Sequence, residues 1–122
     1  MGTKKVIIAF VVAIMLIAGQ SFAASKTLKV GILGPFTGPS AQTGKEFKAS
    51  VQMALDTIDS TVGDYKIEPV WVDSQSDPAK ASGAYAEAVE GKGIQAGVLN
   101  WHSSVAIAVM DVAAQYKEMY RK

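Results

Sequence analysis

The spacing of apolar positions changes along the chain, and each change marks a different element. Val6 to Ala18 is an unbroken apolar run behind Lys4 and Lys5, and Gly19 to Ala24 is small and polar apart from Phe22. A basic start, a short apolar middle and a small-residue end are the three parts of a secretory signal peptide. Ser21 and Ala23 suit the −3 and −1 positions of a cleavage site, so the predicted signal is residues 1–23. A membrane-spanning helix needs roughly 18 or more apolar residues, more than this run supplies. No Cys follows the run, which excludes a lipid-anchored lipoprotein.

Beyond the signal, strand-like and helix-like patterns alternate. Leu28 to Leu33 is a short apolar, β-branched run closed by Gly34-Pro35 and predicts a buried strand. Gly34 to Gly44, rich in Gly, Pro, Ser and Thr, predicts a loop. From Lys45, Phe47, Val51, Ala54, Leu55, Ile58 and Val62 recur at spacings of three and four, one face of a helix that ends between Thr61 and Asp64. Lys66 to Asp73 predicts a second strand, and Pro69, which has no N–H, places it at a sheet edge or makes it pair poorly there. Asp77-Pro78 predicts a helix start, Ala79 to Glu90 the helix and Gly91 to Gly93 its stop. Ile94 to Leu99 predicts a third strand, Asn100 to Ser104 its exit loop, and Val105 to Tyr120 a third helix capped by Ser103 or Ser104. Trp71, within a strand, is expected in the core. The order β-α-β-α-β-α predicts an α/β fold, part of a doubly wound parallel sheet with right-handed crossovers.

Composition narrows the function. Without residues 1–23 the chain has 99 residues, ten basic and eleven acidic, with no basic cluster, which argues against nucleic acid or an anionic membrane as partner. The absence of Cys rules out disulfides and thiolate metal sites, and a lone His rules out a multi-histidine metal site. No cofactor is implied.

Ligands of open parallel sheets bind at the carboxyl ends of the strands, near the point where strand order reverses. Three loops lie there: Gly34–Gly44, Asp73–Asp77 and Asn100–Ser104. All are rich in hydroxyl, amide or carboxylate groups, and each leads into a helix start that favours an anion. They suit a small polar ligand with a carboxylate, held by hydrogen bonds. Gly38 to Glu46 fails as a P-loop, because five residues separate its glycines and Glu46 follows Lys45. His102 beside Ser103 and Ser104 is not a hydrolase signature, since no G-x-S-x-G elbow is present. Ser103 and Ser104 serve either as caps or as ligand contacts, and Trp101 either stacks on a ligand or shields the loop.

Leu28-Lys-Val-Gly-Ile-Leu-Gly-Pro-Phe-Thr-Gly38 with Ala41-Gln-Thr-Gly44 resembles the opening of the leucine/isoleucine/valine-type periplasmic binding proteins. Asp73-Ser-Gln-Ser-Asp-Pro78 is similar to that family's second strand and exit, and Gly97 to Val109 to its third strand, serine loop and helix. The resemblance implies a type I solute receptor of an ABC importer, located in the periplasm, for amino acids, amides or other small carboxylates. An inner-membrane permease would be its partner in the full-length protein. It carries Thr43 to a ligand-facing turn and Ser103 and Ser104 to the loop that holds the ligand's carboxylate. Asn100, Trp101 and His102 are bulkier than the residues common there. Such receptors are two-lobed and several hundred residues long, so residues 24–122 are expected to be the N-terminal part of the first lobe and to bind ligand weakly alone. The alternatives are the ligand-binding domain of a membrane sensor and a small exported enzyme; the resemblance favours a receptor that is not an enzyme.

Overall fold

The computed structural model describes residues 26–99 and 102–119. The predicted signal peptide, with its cleavage site, and Trp101 lie outside the described residues. The elements are β1 (Lys26–Gly34), α1 (Ala41–Thr57), β2 (Thr61–Val62), β3 (Tyr65–Asp73), α2 (Pro78–Lys92), β4 (Ala96–Leu99) and α3 (Ser103–Met119). The sheet runs β2-β3-β1-β4, with β3 and β4 both parallel to β1 and β2 antiparallel to β3. This is the parallel α/β arrangement that the alternation of strand and helix patterns implies.

Side-chain alternation along the strands builds two packing faces. Leu33 of β1 and Val72 of β3 join Ala81, Tyr85, Val89, Val105 and Val109 in one buried cluster, so α2 and α3 cover this face together. Each fully buried Leu or Val contributes about 1.5–3 kcal/mol. The residue before each of these in its strand points the other way. Ile32 is buried there, and Trp71 is half-buried beneath α1, edge-on to Phe36 at 5.7 Å with the Lys48 ammonium 5.0 Å from its ring centroid. Trp71 is thus a lid on the α1 face and not a deep core residue.

Ends of β1, β3 and α2 shift by one or two residues, β4 begins at Ala96 and not at Ile94, and three further boundaries differ from the periodicity. First, α1 begins at Ala41, so Ala41 to Gly44 form its first turn and not the end of a loop. Gly44 permits this: a Cβ there would lie 2.1 Å from the Pro35 carbonyl oxygen. Second, α1 ends at Thr57, where Asp59 and Ser60 turn the chain with φ of 49° and 50° into β2. Ile58 and Val62, expected on the buried helix face, are exposed instead. Third, α3 begins at Ser103, two residues early. The His102 carbonyl accepts its first helical bond, from the Ala106 N–H at 2.9 Å. His102 therefore stands at the cap position, and Ser103 and Ser104 lie inside the first turn.

Other expectations are met. β2 pairs only with Tyr65 and Lys66, so Pro69 of β3 has β1 on one side and, among the described residues, no strand on the other. Asp77 caps α2, its Oδ1 accepting from the Ala79 and Lys80 N–H groups at 2.8 and 3.0 Å, and Gly93 closes the helix at φ 69°.

Candidate functional site

The chain leaves β1 through α1 toward β3, then returns through α2 past β1 to β4 on the other side. Strand order therefore reverses between β1 and β4, and their carboxyl ends flank the crevice in which open α/β sheets take ligands. Three segments meet there: the β1 exit at 35–40, the β3 exit at 74–77 and the residues opening α3.

The first two are locked to each other. Thr37 donates to the Asp73 carboxylate twice, through its hydroxyl at 2.6 Å and its N–H at 3.1 Å, and the Gln75 N–H donates to the same carboxylate at 2.9 Å. Ser74, buried, donates its N–H to the Gly34 carbonyl at 2.9 Å. Gly38, at φ 85°, lies against the Gln75 carbonyl, which a Cβ would approach to 2.7 Å. Burial pushes the Asp73 carboxyl upward, but the hydrogen bonds from Thr37, Gln75 and Phe36 outweigh it and hold the pKa below the ordinary carboxylate value. Asp73 is thereby committed to the protein's own donors.

The third segment is reached through Ser40. Its N–H donates to Ser76 Oγ at 3.3 Å, and its Oγ lies 3.4 Å from His102 Nε2. Ser40 thus joins the exits of β1, β3 and β4. Chemically, the junction offers hydroxyls, an imidazole and the opening turns of α1 and α3, a set of hydrogen-bond donors suited to a carboxylate.

Of the residues expected at the site, Thr43 is half-buried in the first turn of α1, and Ser103 and Ser104 are exposed in the first turn of α3. The Ser40–His102 contact brings those two turns together; Trp101 lies outside the described residues. Sequence reasoning missed Ser40, Ser76, Thr37 and the bracing role of Asp73. An acid at the end of a strand beside two hydroxyl-rich loops was the available signal, but it does not specify which hydroxyl the acid takes.

Residues 27–120 match the sequence profile of the family described as Periplasmic binding protein. The chain is 36% identical over 93 residues to the Leu/Ile/Val-binding protein homolog 6 of Brucella abortus (strain 2308), covering 75% of this chain and 23% of the relative. Its fold is similar to that of a solute binding protein of an ABC transporter from Rhodopseudomonas palustris BisB5, solved in complex with 3,4-dihydroxy benzoic acid. That match has 26% identity and a TM-score of 0.69, over 73% of this chain and 24% of the other. It is also similar to the branched-chain amino acid transporter substrate binding protein LivJ from Streptococcus pneumoniae str. Canada MDR_19A, solved in complex with isoleucine. Here identity is 27% and the TM-score 0.66, over 74% of this chain and 26% of the other. The chain spans about a quarter of the length of the relatives it matches.

Proposed function

The chain belongs to the periplasmic binding protein family, and on that premise we propose that it serves as the solute-receiving part of an exported ABC-importer receptor for a small carboxylate. The observation that carries the reading is the junction at Ser40, where three strand exits meet at the switch point. Asp73, already committed to Thr37 and Gln75, leaves hydroxyls, the imidazole and helix starts to face a ligand. Such a donor-rich wall favours a carboxylate over an ammonium group.

The named relatives support the same class. One is named for leucine, isoleucine and valine, and two solved neighbours hold isoleucine and 3,4-dihydroxybenzoic acid. Aliphatic amino acids and hydroxybenzoates share a carboxylate and little else, so the carboxylate is the group assigned to this wall. Thr43, Ser103, Ser104 and Trp101 are its proposed ligand contacts. Residues 1–23 direct export to the periplasm, residues 24–122 contribute part of the first lobe, and an inner-membrane permease receives the ligand. No bond is made or broken in this role.

The test is calorimetry on the complete encoded protein with L-isoleucine and 3,4-dihydroxybenzoate, each paired with its neutral analogue, L-isoleucinamide and methyl 3,4-dihydroxybenzoate. At least one acid should bind, and its neutral analogue at least a hundredfold more weakly. Equal binding of acid and analogue, or no binding by either acid, would overturn the reading.

A further inference from the structure

Ser40 occupies the residue before α1, where a serine hydroxyl ordinarily accepts an N–H from the helix's first turn. Here it does not: its backbone stands at φ −101°, ψ 22°, and its side chain makes no capping bond. It is held elsewhere instead, by Ser76 through its N–H and at His102 through its hydroxyl, partners 36 and 62 positions away.

Ser76 reaches Ser40 from an unfavourable backbone. Gln75 and Ser76 are consecutive non-glycine residues at φ of 51° and 59°, a region that L-residues enter at a cost. Local bonds hold them there: the Gln75 N–H on Asp73 at 2.9 Å and the Ser76 N–H on the buried Ser74 Oγ at 3.3 Å. One contact thus combines two local sacrifices, an unused helix cap and a left-handed residue pair. A loop selected for stability alone would place Gly at 76 and let Ser40 cap its helix. Strain that the surroundings hold in place is characteristic of sites under functional constraint.

We infer that Ser76 is a positioning residue of the binding site: its hydroxyl takes the Ser40 N–H, keeps Ser40 off α1 and sets the Ser40 hydroxyl beside His102 at the switch point. The inference rests on the receptor reading above for its effect on binding, and on geometry alone for its effect on Ser40.

Ser76→Gly separates the two. Gly adopts the same backbone freely, so only the acceptor is lost. The crystal structure of the full-length variant should show Ser40 Oγ turned onto the N–H of Gln42 or Thr43. Its Tm should be unchanged or raised, while affinity for whichever of L-isoleucine and 3,4-dihydroxybenzoate the wild type binds more tightly falls at least tenfold. Ser76→Asn, which keeps an acceptor and tolerates the left-handed region, should stay within threefold of the wild type. An unmoved Ser40, an unchanged affinity in Ser76→Gly, or a Tm that falls with the affinity would overturn the inference. Should the wild type bind neither acid, the receptor reading fails, and the Ser40 orientation in Ser76→Gly still decides the positioning role.

Discussion

Asp73 ties the β1 exit to the β3 exit, because one carboxylate takes the Thr37 hydroxyl, the Thr37 N–H and the Gln75 N–H. A neutral acid cannot accept all three as well, which is why these bonds hold its pKa below the ordinary value of 3.8. The sign follows from linkage. A carboxyl whose folded pKa is depressed contributes stability that is present above the unfolded value and lost as pH falls through the folded one. Asp73→Asn should therefore cost about 1 kcal/mol near neutral pH, and the difference from the wild type should shrink below the ordinary carboxylate range. Urea unfolding of both proteins at pH 7 and pH 3 measures this; a difference that persists unchanged at pH 3 would mean that the charge is not what braces the loop. Thr37→Val, which removes the hydroxyl but keeps the N–H, should reproduce part of the loss.

At the scale of elements, α2 is the one whose ends are written in the sequence. Asp77 accepts from Ala79 and Lys80, Pro78 occupies the first turn, and Gly93 closes the helix in the left-handed region. Asp77→Ala should cost about 1 kcal/mol, and circular dichroism melts should show a lower Tm with near-native helix content before the transition. Legibility followed whether a signal was local. The three parallel strands, the Asp77 cap and the Gly93 stop are local and were readable, whereas β2 was read as the end of α1. The start of α1 was not, because Ala41 to Gly44 reads as loop until Pro35 is known to press on Gly44, a contact that only a glycine admits. The end of α1 was misread because Ile58 and Val62 continue the helical spacing while the chain has already turned at Asp59 and Ser60. The site was legible as three loops and no further. Thr43 lies in the first turn of α1 and Ser103 and Ser104 in that of α3, but the residues joining those turns, Ser40, Ser76 and His102, pair across 36 and 62 positions, where spacing carries no information.

For the molecule as a whole, the energetics of the junction set how much binding these residues can supply by themselves. A carboxylate held here would gain three or four hydrogen bonds, each worth about 0.5–1.5 kcal/mol net, or about 1.5–6 kcal/mol together. A dissociation constant near 1 mM corresponds to roughly 4 kcal/mol, so even the upper end of that range reaches only about 0.04 mM, more than tenfold short of micromolar. Small-ligand sites gain the remainder by burying roughly 70–90% of the ligand surface. Ser103 and Ser104 are exposed, and so are Val98 and Leu99 of β4 and Ile107 and Met110 of α3. Residues 24–122, which span about a quarter of the length of their relatives, should therefore bind L-isoleucine and 3,4-dihydroxybenzoate no more tightly than about 0.04 mM as an isolated segment. Submicromolar binding by calorimetry on that segment would show that the three strand exits enclose a ligand without further polypeptide, and that the junction at Ser40 is a complete site.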